Sequence, residues 1–176
     1  AFTHSSQRLL QQLGLWTELQ PLLVPFHRLQ LRDLGSDSAV VPFEAADLGP
    51  PRAEGPDAAV GWIGAHAPLM AADGSVDLEL AADGHHSPRR AAAGIGVWQH
   101  RYRQACLTAQ VSLRGCDPQE AWELFRPEGP FAVLPLGGGQ FQVVWSGPAW
   151  RCHRLEALGP AAFMDALAGV LPEGFE

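Results

Sequence analysis

The 176-residue chain is 47% apolar and 18% charged, with a formal charge of −7. That length and composition fit a soluble globular domain with a sizeable core and argue against a disordered chain. All twelve basic residues are Arg, which excludes a lysine Schiff base or a Walker-type phosphate lysine, and the acidic balance argues against nonspecific nucleic-acid binding.

Ser5 or Ser6 is a candidate cap for an amphipathic helix through Leu10, Leu13 and Leu15, ending near residues 16–19 and weakened toward its end by Gly14. Pro21 and Pro25 interrupt its continuation. Residues 26–34 alternate, with Leu29, Leu31 and Asp33 in one phase and Arg28, Gln30 and Arg32 in the other, which predicts a half-buried strand. A turn at Gly35-Ser36-Asp37 and a short strand over 40–43 would complete a hairpin. Residues 48–72, rich in Pro, Ala and Gly, read as an irregular connection. Asp73-Gly74 predicts a tight turn, residues 76–80 an alternating strand, and residues 81–90 a polar loop.

Residues 107–113 predict a strand, and 119–124 one or two helical turns behind Pro118. Residues 131–136 and 141–145 flank Gly137-Gly138-Gly139, a hairpin signal. A last helix is expected from Pro160 to about residue 170, with Phe163, Leu167 and Val170 as its apolar stripe. Together these elements predict an α+β fold in which an antiparallel sheet carries most of the packing.

Cys106, Cys116 and Cys152 are widely spaced and describe neither a disulfide framework nor a zinc site, so a reducing, cytoplasmic setting is the simpler expectation. The seven histidines form no metal-binding spacing. No run reaches the ~20 apolar residues that span a bilayer.

The first chemically informative segment is Leu78-Glu79-Leu80-Ala81-Ala82-Asp83-Gly84-His85-His86-Ser87-Pro88-Arg89-Arg90. A strand would deliver Asp83 and Gly84 into a loop. Gly84 permits close backbone approach to a ligand, Asp83 accepts hydrogen bonds, and Arg90 donates to a carboxylate or phosphate. The bland alternative is a polar turn capped by an Asp. The second segment, Phe125-Arg126-Pro127-Glu128-Gly129-Pro130-Phe131-Ala132-Val133-Leu134-Pro135-Leu136, restricts the backbone at its prolines and presents apolar side chains to a pocket or to the core. An exposed ion pair or solvent-facing charges is the reading for Arg126 and Glu128. Tyr102, the single tyrosine, reads as a substrate contact or a buried anchor. Trp98, Trp122, Trp145 and Trp150 read as core.

Asp83-Gly84-x-x-Ser87-x-x-Arg90 resembles the Asp-Gly motif of FAD-dependent aromatic hydroxylases with the para-hydroxybenzoate hydroxylase fold, with Ala81 standing where that family has Gly. The segment from Phe125 onward, Tyr102-x-Gln104-Ala105, and Ser6-Gln7-x-Leu9-Leu10-x-x-Leu13-Gly14-Leu15-Trp16 are similar to the ubiquinone-biosynthesis branch of that family. The resemblance implies FAD as cofactor, NAD(P)H as electron donor, and oxygen insertion into a phenolic or quinone-precursor small molecule. It implies Asp83, Gly84, Ser87 and Arg90 as cofactor contacts, and Tyr102, Gln104, Pro130, Phe131, Val133 and Pro135 as substrate contacts. A polyprenyl tail on the substrate would bring peripheral contact with the inner membrane. The implied organisation is a partial helical and FAD-domain region over 1–25, substrate-domain strands and a connection over 26–72, a partial FAD-binding domain over 73–98 and the substrate-binding middle domain over 99–176.

The chain has no Gly-x-Gly-x-x-Gly strand–turn–helix and no later Gly-Asp flavin motif. It is therefore expected to be an interior part of a longer enzyme, inactive alone and with little FAD affinity. The alternatives are a noncatalytic quinone- or lipid-binding domain and a related FAD-dependent reductase or halogenase. No interface pattern specifies an oligomer.

Overall fold

The computed structural model describes residues 1–35, 39–49, 58–64 and 83–176. Helix α1 (His4–Gln12) begins one turn earlier than expected, because Thr3 is its cap and forms a capping box with Ser6. The single helix expected through residue 19 is broken. Gly14 takes φ +72, the Leu15 N–H returns to the Leu10 carbonyl at 2.9 Å, and a separate helix α2 (Trp16–Leu19) follows. Trp16 then packs edge-on against Trp62 at 5.1 Å, and both are buried with Leu23 and Ala59.

The strand expected over 26–34 is two strands. Strand β1 (Leu23–Phe26) pairs antiparallel with β4 (Gly61–Gly64), whereas β2 (Arg28–Asp33) enters a six-stranded sheet. His27 lies at the switch, its N–H donating to the Gln119 carbonyl and its Nδ1 lying 2.6 Å from the Ala58 carbonyl. The expected hairpin of β2 with β3 (Val40–Glu44) is present. The expected turn at Asp73-Gly74 and strand over 76–80 lie outside the described residues, as do Ser36 and Asp37 of the other turn.

The sheet order is β3-β2-β6-β7-β8-β5, with β5 Gln104–Ser112, β6 Glu120–Phe125, β7 Phe131–Gly137 and β8 Gln140–Pro148. The helical turns expected over 119–124 are in fact β6, which runs parallel to β2 and antiparallel to β7. Six residues make few helical hydrogen bonds, whereas a strand between two partners satisfies its backbone on both sides. The β7–β8 hairpin forms as expected, with Gly137, Gly138 and Gly139 all at positive φ. Helix α3 (Pro88–Ala92) precedes β5. Helix α4 (Ala149–Glu156), not foreseen, follows β8 directly, and the Cys152 thiol donates to the Ala105 carbonyl at 3.3 Å. Helix α5 (Pro160–Ala168) forms where the sequence placed it, ending two residues short. The fold is α+β, as expected, with one parallel strand pair among the described residues.

Alternation along the strands separates two faces. One carries Leu124, Phe131, Val133, Pro135, Phe141, Val143 and Trp145, and packs on Leu167 of α5. The opposite face carries Ala121, Leu134 and Leu136, which pack with Phe26, Ile63 and Val60 beneath the β1–β4 ribbon. Two of the four tryptophans expected in the core are outside it: Trp98 is 85% and Trp150 65% exposed, while Trp145 is buried.

Glu123 lies on the ribbon-side face of β6, opposite Ala132 of β7 and Leu31 of β2. Its half-buried carboxyl is pushed above the usual range by desolvation. A raised carboxylate pKa adds stability below the unfolded value and loses it as pH rises through the folded value. Glu123→Gln is therefore expected to stabilise the protein at neutral pH, by less than about 1 kcal/mol because the group is partly solvated. It should leave stability at low pH unchanged. Urea midpoints at both pH values test this, and a destabilised neutral-pH variant would contradict it.

Candidate functional site

The four residues expected at a cofactor come together. Asp83, Gly84, Ser87 and Arg90 line one cleft of about 320 Å³, with Arg89, Ala93 and Ile95 completing its wall. Pro88 supplies the fixed φ that opens α3, and Ser87 caps the helix by accepting the Arg90 N–H at 3.0 Å. Ser87 is itself buried. The Arg90 guanidinium folds back onto the loop, donating to the carbonyls of Gly84 and His85. Asp83 stays charged below the ordinary carboxylate range, chiefly through the Ser87 side-chain hydrogen bond, with Arg89 also lowering it. Gly84 has φ +81, and a Cβ there would meet nothing within 4 Å. The glycine is thus required by backbone conformation, and the space beside it is free for a ligand.

This donor set combines an anionic acceptor for hydroxyl groups with two guanidinium groups that suit phosphate oxygens. The open approach at Gly84 leaves room for a phosphate- and hydroxyl-bearing ligand, and the cleft of about 320 Å³ is large enough for one part of a nucleotide.

The residues expected at the substrate divide into two groups. Phe131, Val133 and Pro135 are fully buried on the helix-covered face, so their side chains fill the core. The same strand turns Ala132, Leu134 and Leu136 to the other face. Tyr102, Gln104 and Pro130 are exposed and converge at one end of the sheet. There Gln104 pairs with Pro148, the Ala149 N–H donates to the Arg103 carbonyl at 2.9 Å, and the Ser146 N–H donates to the Pro130 carbonyl at 3.0 Å. The reading of Tyr102 as a buried anchor does not hold: it is 78% exposed and meets His100 edge-on at 5.1 Å. None of these substrate-expected residues lines the Asp83 cleft.

Sequence reasoning missed the segment that joins the two places. Ile95, Val97, Trp98 and Tyr102 are all strongly exposed, with Trp98 stacked on His100. The closely spaced apolar residues of Ile95-Gly96-Val97-Trp98 were the available signal, obscured because tryptophan is ordinarily read as core. Arg126 and Glu128 do form an ion pair, at 3.0 Å, and Arg151 adds a second at 3.3 Å. Both guanidiniums lie over Trp145, so this cluster fastens the β6–β7 connection to α4. Among the described residues no cluster of His, Cys, Asp or Glu has metal-binding geometry, and no helix is long and apolar enough to cross a membrane.

No protein-family model matches the chain. It is 37% identical over 107 residues to the ubiquinone biosynthesis monooxygenase COQ6 of Drosophila melanogaster, 58% of this chain and 22% of that protein. It is 33% identical over 130 residues to COQ6 of Rattus norvegicus, 72% of this chain and 24% of that protein. The 3-demethoxyubiquinol 3-hydroxylase of Escherichia coli is 33% identical over 95 residues, 54% of this chain and 24% of that protein. The chain thus spans about a quarter of the length of the curated relatives it matches. Its fold matches P. aeruginosa PqsL, crystallised with 2-aminobenzoylacetate, with TM-score 0.57 and 16% identity over 97% of this chain and 59% of PqsL. The resemblance to ubiquinone-biosynthesis hydroxylases drawn from the sequence motifs holds.

Proposed function

We propose that this chain is the substrate-facing part of an FAD-dependent monooxygenase that hydroxylates a phenolic quinone precursor, with NAD(P)H as electron donor. The observation that carries the reading is the Asp83–Gly84 cleft, in a chain whose relatives are named for hydroxylation and monooxygenation in ubiquinone biosynthesis. Bound FAD supplies the oxygen chemistry. Asp83 would accept hydrogen bonds from sugar or ribityl hydroxyls, and Arg89 and Arg90, which line the same cleft, would supply positive charge for the phosphates. Ile95, which lines the Asp83 cleft, and the exposed Val97 and Trp98 that follow it would help to exclude water from the site. Tyr102, Gln104 and Pro130 hold the substrate at the end of the sheet, while Phe131, Val133 and Pro135 support that strand from the core. Such an assignment needs no nucleophilic triad. A polyprenylated substrate would draw the enzyme to a membrane surface.

The test uses the complete polypeptide that carries this chain. Substrate-stimulated NAD(P)H consumption is expected, and Asp83→Ala should lower kcat/KM for NAD(P)H about tenfold or more with only a small drop in thermal midpoint, since Asp83 is exposed and gives up its hydrogen bond with Ser87. NAD(P)H consumption indifferent to any phenolic substrate would favour a noncatalytic binding domain. A full-activity Asp83→Ala enzyme would remove the loop from the cofactor site.

A further inference from the structure

Among the described residues, Arg103 is the one non-glycine residue with positive φ, at +56. A side chain crowds the backbone in that region, and such a conformation persists only where the surroundings hold it. The carbonyl side of Arg103 belongs to the sheet. The N–H of Ala149, the first residue of α4, donates to the Arg103 carbonyl at 2.9 Å and closes the β5–β8 ladder beyond the Gln104–Pro148 pair. The Cys152 thiol of the same helix ties down the Ala105 carbonyl at 3.3 Å. The amide side of Arg103 leads instead into a run of rings. Tyr102 meets His100 edge-on at 5.1 Å, and His100 stacks on Trp98 at 6.1 Å. Rotation about the Arg103 N–Cα bond joins the two. In an unbroken strand Tyr102 and Gln104 would share one face, and a left-handed residue between them breaks that alternation.

We propose that Arg103 is a positioning residue whose left-handed backbone turns Tyr102 out of the line of β5 and fixes its ring relative to the Gln104 amide. It acts through those two side chains, so the inference rests on their proposed place at the substrate. The backbone conformation is what matters, which makes the guanidinium dispensable and tolerance of positive φ indispensable. Asparagine enters the left-handed region more readily than most residues, whereas β-branched valine is held out of it. Both substitutions remove the same charge, so together they separate the two properties.

The test compares Arg103→Asn and Arg103→Val in the complete polypeptide that carries this chain. Arg103→Asn should keep KM for the phenolic substrate within about twofold of the wild-type value. Arg103→Val should raise it about tenfold or more with KM for NAD(P)H unchanged, because only the groups that hold the ring are displaced. Should Arg103→Val fail to fold, Arg103→Ala takes its place, with a smaller rise of the same sign. The ring itself is followed by fluorine NMR of fluorotyrosine-labelled protein, with the Tyr102 signal assigned by Tyr102→Phe. Arg103→Val should displace that signal well beyond Arg103→Asn. A wild-type KM in Arg103→Val, while Tyr102→Ala and Gln104→Ala raise it, would overturn the joint and leave the substrate contacts standing. Unchanged KM in Tyr102→Ala and Gln104→Ala would overturn the substrate contacts and with them the role of the joint at the substrate. An Arg103→Asn enzyme as impaired as Arg103→Val would overturn the proposal in favour of the side-chain charge.

Discussion

Phe131→Ala is expected to lower the unfolding free energy by about 3–5 kcal/mol. Phe131 is completely buried, lies edge-on to Trp145 at 5.4 Å, and sits in the cluster with Val133, Val143 and Leu167 that joins the sheet to α5. Strand β7 is held between β6 and β8, so the backbone cannot collapse into the void. A loss of that size is a large share of the ~5–15 kcal/mol that stabilises an ordinary domain. Tyr102→Ala, at an exposed ring, should change stability by no more than about 0.5 kcal/mol. Urea denaturation of the two variants measures the contrast. A Phe131→Ala loss under about 1 kcal/mol would mean that the residue faces an open pocket rather than the core.

Gly129→Ala is expected to cost about 2–4 kcal/mol, combining backbone strain with displacement of a neighbouring strand. Gly129 has φ +134, and a Cβ there would lie 2.5 Å from the Ser146 carbonyl oxygen and 3.2 Å from the Gly147 Cα. Both obstacles are backbone, held by the Ser146–Pro130 hydrogen bond and by pairing of β8 with β5 and β7, so neither moves cheaply. Gly138→Ala is the control. That residue also has positive φ, but its Cβ would meet nothing within 4 Å, so only the left-handed conformation penalty of about 1–2 kcal/mol remains. Equal melting-point losses for the two would show that the close approach at Gly129 carries no weight. The physical meaning of the Gly129-Pro130 step follows: it brings the β6–β7 connection against β8 and thereby builds the sheet end where Tyr102 and Gln104 emerge.

The parts of the fold legible in the sequence were those decided by neighbours in the chain. The β7–β8 hairpin announced itself through three successive glycines, α5 through Pro160 and its apolar stripe, and β5 through Leu107, Ala109, Val111 and Leu113 alternating with polar residues. Strand β6 was hidden, because its pairing with β2 joins residues about ninety apart and no local pattern encodes a parallel partner. Helix α4 was hidden by Pro148, whose extended conformation ends β8 and caps the helix in one step. The Asp83 loop was legible because Asp, Gly, Ser and Arg each have one clear role in a capped turn. The facing of β7 was not, since Phe131-Ala132-Val133-Leu134-Pro135-Leu136 is apolar at every position and such a run buries both faces. Exposure of Trp98 and Tyr102 was invisible for the opposite reason: large aromatic residues carry the same signal whether they are core or a surface that another element covers.

The fate of dioxygen bears most directly on the proposal that this chain shapes the ring-facing side of a flavin hydroxylase. The complete polypeptide carrying it would be supplied with FAD, NAD(P)H, a phenolic quinone precursor and heavy-isotope dioxygen, and the product weighed by mass spectrometry. One labelled oxygen atom in the ring of the product is the expected result. A product that is reduced, halogenated or unchanged, or whose new oxygen comes from water, would contradict the account.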